Sequence, residues 1–372
     1  MPDISYRLYL DGTSFTREQL DRVETIVVSQ EMDLLWEAEI STHTVLDEQG
    51  HWKYGDGEEF PEMKRIRLEL TLDGFTWTPL IEGPIAKVAH QFSSQPGASE
   101  VKLTVRDDSV FLNRNQEAHT YAHKTEREII STVLSEYERE QGAEARFAPE
   151  IDSIPGDQPR NVARRQTAMQ FLRAQAHQRG WHAYVLPARE CGQPSRFCYK
   201  PKARAVTSLP ALQLIGDDRT LNDFHVEANP EGPQHTSGAR IDFAEGRLAA
   251  TTMSSTAQQL MAEQPAAKKP AQRLADPRNG AGLPPDVIAE ADTSKAMYAF
   301  SATGRVVPFR YNAVLTPYEV VSVRAGKVAA SADYLIRKVT HTLTRNLYTQ
   351  EFEAVSDSIN QVGPAKPTPK IT

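Results

Sequence analysis

Cysteine is almost absent from this chain, since Cys191 and Cys198 are the only two in 372 residues. A disulfide framework of the kind that stabilises small secreted proteins is therefore excluded. The two thiols could face each other across a predicted hairpin, but a reducing cytoplasm keeps such thiols free. Two cysteines also supply too few ligands for a structural zinc site. We predict free thiols and a fold held by its core, because a chain of this length can bury about three quarters of its unfolded surface.

Long apolar runs and an excess of basic residues are also missing. No run approaches the roughly 18 apolar residues of a membrane-spanning helix. Residues 1–10 lack the basic-then-apolar order of a signal peptide. The formal net charge is −7, whereas a protein that binds nucleic acid needs a basic face. These absences predict a protein made in a cytoplasm, with no stable membrane insertion and no nucleic-acid specificity.

Recognisable catalytic motifs are missing as well. The chain has no Gly-x-Ser-x-Gly elbow and no phosphate-binding loop. His119 and His123 would share one face of a helix, but no Glu follows His119 as the zinc-protease pattern requires. His341 alternates with apolar residues, as a buried structural histidine does, and sequence does not give the separation of the Asp107 and Asp108 carboxylates that a glycosidase would need. We predict no enzyme, no cofactor, and no catalytic, cofactor-binding or metal-binding residue.

The first part of the chain, residues 1–115, has the two-residue alternation of β-strands. Strands are predicted at 4–10, 23–28, 38–40, 64–72, 76–81, 84–92 and 101–106. In the strand at 64–72, Ile66, Leu68, Leu70 and Leu72 alternate with Arg65, Arg67, Glu69 and Thr71. Asp73-Gly74 is a strong hairpin signal. The acidic loop at 47–62 lacks the spacing of a calcium-binding EF-hand. The pattern indicates an antiparallel barrel or sandwich with a solvated acidic loop.

The middle part, residues 116–207, carries two capped helices. Thr125 with Glu128, and Thr167 with Gln170, have the spacing of capping boxes. Gly142 and Gly180 are expected to end the two helices, because only glycine adopts the left-handed conformation without strain. Strands are predicted at 181–185 and 196–200, and an extended connection is predicted at 143–160.

The last part, residues 208–360, returns to strands and contains an unusual stretch. Strands are predicted at 212–215, 223–227, 240–243, 248–252, 317–323, 332–343 and 347–355. Residues 244–297 hold no aromatic residue and several prolines, and such a stretch buries too little apolar surface to fold alone. We predict an insertion or long loop at 252–297, with one short helix at 256–263, ordered only by partners. Residues 361–372 are predicted to be a flexible tail.

Three segments together resemble the family of phage late control protein D and of the hub portion of VgrG proteins. They are Phe171-Leu172-Arg173 with Gly180-Trp181 and Tyr184-Val185; Glu82-Gly83-Pro84-Ile85 with Val101-Lys102-Leu103-Thr104-Val105; and Val339-Thr340-His341 with Tyr348. The chain departs from the family at residues 324–327, where a Gly-rich turn is usual. The resemblance implies an α+β, mainly antiparallel fold with the architecture of a phage tail hub. In it, two tube-like β-barrels, at 1–115 and 208–360, flank a helix-containing middle part.

The resemblance also implies a function and a set of partners. The expected role is a non-enzymatic baseplate hub of a phage tail, tailocin or injection system, in which a homotrimer joins the sixfold tube to the threefold spike. Arg65, Arg67 and Glu69 would then face a lumen or a neighbour. Expected partners are the inner tube or tube-initiator protein, the spike protein and other baseplate components, with a tape-measure protein or cargo in the lumen. The particle would be assembled in the bacterial cytoplasm and be extracellular after release.

Two other classes of protein remain open at this stage. A secreted cell-wall hydrolase or carbohydrate-binding protein can be built from β-barrels, and activity on peptidoglycan would favour it. A tail tube subunit is the other alternative, although it is usually a single barrel of about half this length. Co-purification with sheath, tube and spike proteins would favour the hub.

Overall fold

The structure is a computed structural model of the 372-residue chain. It describes residues 4–45, 52, 60–95, 97–141, 146–206, 208–229, 233–237, 239–242, 247–250, 261, 264–265, 271–274, 283–326, 330–345 and 347–359. The Glu245-Gly246 turn, Gly142 and the tail at 361–372 lie outside the described residues, as do most of the acidic loop at 47–62 and of the short helix at 256–263. The predicted fold class, α+β with mainly antiparallel strands, is confirmed.

The first part of the chain is dominated by strands. Its elements are β1 (Ser5–Leu10), β2 (Thr13–Ser14), α1 (Arg17–Arg22), β3 (Val23–Glu31), β4 (Glu37–His43), β5 (Arg65–Thr71), β6 (Thr78–Gln91), β7 (Glu100–Arg106) and α2 (Ser109–Leu112). The strands predicted at 76–81 and 84–92 are in fact one strand, β6. Its first half pairs with β5 and its second half with β7. Gly83 permits this change of partner, because a Cβ there would lie 1.9 Å from the carbonyl oxygen of Arg106.

The middle part mixes helices with short strands. Its elements are β8 (His119–Lys124), α3 (Glu126–Gln141), β9 (Phe147–Ile151), β10 (Arg160–Arg164), α4 (Ala168–Gln178), β11 (Trp181–Leu186) and β12 (Ser195–Pro201). Thr167 and Gln170 form the predicted capping box at the start of α4. Gly180 follows α4 with a φ of +70° and turns the chain into β11. The connection predicted to be only extended contains β9, which pairs in parallel with β12.

The last part contains the remaining elements. They are β13 (Leu212–Gln213), β14 (Leu221–Ala228), β15 (Gln234–Ser237), β16 (Ala239–Asp242), β17 (Arg247–Ala250), β18 (Gln264–Pro265), β19 (Ala271–Leu274), α5 (Pro285–Ala296), β20 (Phe300–Val306), β21 (Val320–Arg324), β22 (Ala332–Thr344), β23 (Tyr348–Ser356) and β24 (Ser358–Ile359). The hairpins predicted around 240–252 and 332–355 are present as β16–β17 and β22–β23.

One 13-stranded sheet connects the first and last parts of the chain. Its main path is β14-β20-β23-β22-β3-β4-β7-β6-β5-β1-β2, and β21, with β13 beside it, attaches to β22. The joint is the antiparallel pairing of β22 with β3, from Lys338 opposite Glu31 to Thr344 opposite Thr25. Pairing among the described strands does not connect β14 with β2.

The three largest clusters of buried apolar side chains among the described residues follow the three parts of the chain. The first cluster is built on β1 and β3–β7, the second on α3, α4 and the strands around them, and the third on β20–β23. Leu343 and Tyr348 from the last part pack into the first cluster, so the two β-rich parts share contacts at the joint. The boundaries at 115, 207 and 360 stay a prediction.

That residues 252–297 are an insertion stays a prediction, but the prediction that they form a loop ordered only by partners is wrong for residues 285–296. Residues 285–296 form helix α5, in which Ile288, Ala289 and Ala291 are buried. The error has a physical reason: alanine and isoleucine bury their side chains without any aromatic residue, because α5 packs against α4 and β15 rather than forming a core of its own.

The contact between α5 and the end of α4 gives a testable prediction. A Cβ on Gly180 would lie 3.1 Å from the Cα of Ala291, and φ there is positive. We expect Gly180→Ala to lower the free energy of unfolding by about 2–3 kcal/mol, since left-handed strain costs about 1–2 kcal/mol and overpacking adds to it. Gly156→Ala is the matched control, because Gly156 also has positive φ but has no atom within 4 Å of the added Cβ. Equal losses in the two variants, measured by urea denaturation, would contradict the close packing of α5.

Among the residues that the structure describes, no helix combines the length and the apolar character needed to cross a membrane.

Candidate functional site

The joint between β3 and β22 holds a buried polar group centred on His341. His341 pairs with Val28 of β3 on one side and with Gln350 of β23 on the other. Its Nε2 lies 3.2 Å from Oε1 of Gln30, and its Nδ1 lies 2.9 Å from the hydroxyl of Tyr348. Because the Gln30 amide nitrogen donates to the Leu80 carbonyl at 2.7 Å, its oxygen accepts from His341. The imidazole therefore carries its proton on Nε2 and accepts from Tyr348. His341 is a satisfied structural residue, as its strand pattern indicates.

Burial of His341 gives the joint a pH dependence. Burial lowers the pKa of His341 from 6.5 to about 3, so the folded protein keeps the imidazole neutral while the unfolded chain takes up a proton below pH 6.5. Stability contributed by His341 is therefore lost as the pH falls from about 6.5 towards 3. We expect the stability difference between the natural protein and His341→Gln to shrink as the pH falls below 6.5, with a slope that approaches about 1.4 kcal/mol per pH unit near pH 5. Urea denaturation at several pH values measures it, and a constant difference would show that His341 titrates normally.

The polar face of β5 is covered by the middle part of the same chain. Nη1 of Arg67 donates to the carbonyl of Ala188 at 2.9 Å, and Nη2 donates to that of Arg189 at 3.2 Å. Glu69 and Glu82 accept from the same guanidinium group. Arg67 and Glu69 are buried and Arg65 is partly buried. The prediction that these side chains face a lumen or a neighbouring subunit is therefore wrong. The alternation of apolar and polar residues correctly predicts which side chains share this face of β5. It does not predict that the loop after β11 covers the face through the carbonyls of Ala188 and Arg189.

The adjacent aspartates, Asp107 and Asp108, also hold the fold together. Asp107 accepts from the backbone N–H groups of Trp36 and Ser109 at 2.6 and 2.8 Å. Asp108 accepts from both terminal nitrogens of Arg65, at 2.8 and 2.7 Å, and from the Ser195 hydroxyl at 2.5 Å. Burial raises the pKa of Asp107 to about 6. Both carboxylates are buried, so the pair is not open to a sugar chain as a glycosidase pair must be.

A cavity of about 300 Å³ lies where the three parts of the chain meet. It is lined by Met32 and Asp33 from the turn after β3, by His177, Trp181 and His182 from the end of α4 and the start of β11, and by Lys202, Ser294, Lys295, Tyr298, Leu335 and Arg337. Oδ2 of Asp33 lies 3.2 Å from Nε2 of His177, and Oδ1 lies 3.2 Å from Nδ1 of His182. Burial disfavours the charge of Asp33, but hydrogen bonds from the two histidines hold its pKa well below the usual range.

A buried lysine, Lys202, also lines this cavity. Burial lowers the pKa of Lys202 to about 7. Its ammonium group donates to the Ser294 carbonyl at 3.0 Å and lies 3.8 Å from the centre of the Tyr298 ring. Sequence reasoning missed this site because its residues come from distant segments, and only the five-residue spacing of His177 and His182 across Gly180 is visible in the sequence.

Comparison with solved structures identifies the fold. The chain has the fold of phage tail proteins. It is similar to a 43 kDa tail protein of prophage MuSo2 from Shewanella oneidensis, with a TM-score of 0.64 and 11% identity over 96% of this chain and 100% of that one. A tail protein from Neisseria meningitidis gives a TM-score of 0.60 and 12% identity over 95% and 96% of the two chains. A component of the type VI secretion system of E. coli, itself similar to bacteriophage T4 tail proteins, gives a TM-score of 0.55 and 14% identity over 98% of this chain and 79% of that one. No protein-family model and no curated protein matches the chain.

One surface of the tail-protein fold exposes several apolar side chains close together. Phe309 and Leu347 line a groove between the start of β1 and the end of the β22–β23 hairpin. Phe309 also lines a second groove, beside the turn between β5 and β6. Phe75, in that turn, is 89% exposed. We call these three exposed side chains, Phe75, Phe309 and Leu347, the apolar face, since exposed apolar patches mark sites of protein contact.

Other residues considered as sites lie apart from these features. His119 and His123 are on strand β8 and not on a helix, and both are exposed. Cys198 is buried on β12 opposite Tyr184, whereas Cys191 is exposed in the loop before β12. The absence of catalytic and cofactor-binding residues stays a prediction.

Proposed function

We propose that this chain is a structural, non-enzymatic baseplate hub of a contractile tail or contractile injection system, and that three copies join the sixfold tube to the threefold spike. The observation that supports it is the joining of two antiparallel β units, each with its own apolar core, edge to edge through β3 and β22. One chain thereby presents two β units side by side. The tail-protein fold agrees with this role.

Symmetry provides the reason for such a duplication. Three copies that each carry two β units present six units in a ring, while the contacts between whole chains remain threefold. Repeated heterologous contacts close into a ring when the rotation between copies is right. In this proposal the tube or tube-initiator protein binds the ring of six units, and the spike protein binds the threefold side. Other baseplate components complete the particle, which is assembled in the cytoplasm and released.

Copy number tests the proposal directly. The chain should be co-expressed with candidate spike and tube proteins, and the purified complexes should be measured by native mass spectrometry. We expect three copies of the 41.5 kDa chain per complex. Six copies per particle, or a monomer that never joins a spike, would contradict the adapter role.

The apolar face provides a second test of the same proposal. We infer that it contributes to contacts within the assembly, because Phe309 and Leu347 are exposed beside a groove at the joint of the two β units. The double variant Phe309→Ser, Leu347→Ser is expected to fold normally and to lose incorporation into the complex. Phe92→Ser is the control, since Phe92 is an apolar side chain of similar exposure, 55%, that follows the C-terminal end of β6 and is not part of the apolar face. Equal incorporation of the two variants would exclude the apolar face from the contacts.

A further inference from the structure

The Asp33–His177–His182 group has the composition and the geometry of a metal site. Each residue can offer one ligand atom, and these three atoms lie within 4.8 Å of one another. Imidazole nitrogen and carboxylate oxygen are ligands that Zn²⁺ accepts, at about 2.0–2.2 Å. Ligand atoms around a tetrahedral ion with such bonds are about 3.3 Å apart. Each histidine nitrogen lies 3.2 Å from a different oxygen of Asp33. Because one ligand atom from each residue lies within 4.8 Å of the other two, a modest movement of these side chains brings the three atoms to that spacing.

Local structure holds the three side chains in this arrangement. Asp33 has a φ of 61° in the turn after β3, and its N–H donates to the Tyr318 hydroxyl at 2.7 Å. Gly180 brings His182, at the start of β11, beside His177 at the end of α4. The His182 ring also packs edge-on against the Tyr318 ring, with 5.3 Å between the ring centres. Positive φ is uncommon for residues other than glycine. Here this backbone conformation directs the Asp33 carboxylate towards the two imidazoles.

We propose that Asp33, His177 and His182 bind one divalent transition-metal ion, of which Zn²⁺ is the representative, with its fourth position open to the cavity. The ligands come from two parts of the chain, so the ion ties the turn after β3 to the middle part. Lys202, Lys295 and Arg337 line the same cavity, and their basic character favours an anionic fourth ligand such as hydroxide or chloride. This inference does not rest on the hub role.

Access and charge are compatible with loading of the ion from solution. The side chains of Asp33, His177 and His182 are 29%, 38% and 16% exposed. Binding displaces the protons that the histidines share with Asp33, as metal binding to imidazole requires. The competing arrangement is the same carboxylate held by two protonated or neutral histidines without metal, and the experiment separates the two.

Metal titration of the full chain tests the proposal. Protein freed of metal with a chelator should be titrated with ZnCl₂ by calorimetry, and with CoCl₂ to follow the visible absorption of four-coordinate cobalt. We expect one ion per chain, an increase in melting temperature with Zn²⁺, and a tetrahedral cobalt spectrum. Stoichiometry well below one, or a cobalt spectrum of the hexaaqua ion, would overturn the proposal.

Matched variants distinguish this site from adventitious binding. His177→Gln and Asp33→Asn should each weaken binding by about 10-fold or more and remove the Zn²⁺-dependent rise in melting temperature. His182→Gln tests the more buried ligand, and His177→Gln keeps the test valid if that variant does not fold, because His177 is the most exposed of the three. His119→Gln with His123→Gln is the control, since both are exposed histidines of β8. Loss of binding in the control, or full affinity in His177→Gln, would show that Zn²⁺ binds elsewhere.

Discussion

Replacing Arg67 with methionine is expected to lower the free energy of unfolding by about 3–5 kcal/mol, the range found when one partner of a buried ion pair is removed. The Arg67 side chain is 3% exposed and lies between the Glu69 and Glu82 carboxylates. Arg65, its neighbour on the same face, is already bound to Asp108 and contacts Glu82 at 3.3 Å. Removal of Arg67 would leave three buried carboxylates with one guanidinium group.

An exposed ion pair provides the matched control for this experiment. Arg305 on β20 contacts Glu351 on β23 at 2.9 Å, and both side chains are about half exposed. Such pairs contribute about 0–1 kcal/mol, so Arg305→Met should change the stability little. Adding Glu69→Gln and Glu82→Gln to Arg67→Met should recover part of the loss, because it removes the unpaired charges. A loss below about 1 kcal/mol for Arg67→Met, measured by urea denaturation, would mean that water reaches this face.

The location of this ion-pair group changes the interpretation of β5. A strand with apolar residues on one face and charged residues on the other is typical of a sheet exposed on one side. Here the charged face is the contact between the first β unit and the middle part, sealed by the carbonyls of Ala188 and Arg189. The charged face of β5 is therefore not available for contacts with other proteins.

Features that depend on nearby residues could be predicted from the sequence. Thr125 and Glu128, and Thr167 and Gln170, make their capping contacts within three residues. Gly180 ends α4 because a left-handed residue is needed there. Most strands were also predictable, since the alternation of apolar and polar residues in β5 and β22 is typical of the two faces of a strand. These signals are local, so the rest of the fold does not alter them.

Features that depend on distant segments could not be predicted in the same way. The parallel pairing of β9 with β12 joins segments about 50 residues apart, and nothing in the proline-containing sequence at 147–151 indicates it. Helix α5 is buried by α4 and not by its own composition. The site at Asp33 forms because the turn after β3 contacts the end of α4. This contact depends on how the first and middle parts of the chain pack together. The sequence pattern therefore predicted most strands and the helices α3 and α4, but not the meeting of the turn after β3 with the end of α4.

Truncating Phe171 to alanine is the second change with a large expected effect. The Phe171 side chain is 2% exposed on the buried side of α4. Its ring stacks on that of Tyr121, with 5.8 Å between the ring centres. It belongs to the apolar cluster that joins α3, α4 and the β11–β12 hairpin. Loss of a buried phenylalanine costs about 3–5 kcal/mol, because the transfer free energy and the cavity both count. Phe75→Ala, at a side chain 89% exposed, should change stability by less than about 0.5 kcal/mol. If urea denaturation of the two variants gave similar midpoints, α4 would not be the centre of the middle part. A large loss for Phe171→Ala alone would show that the apolar cluster around α4 stabilises the fold.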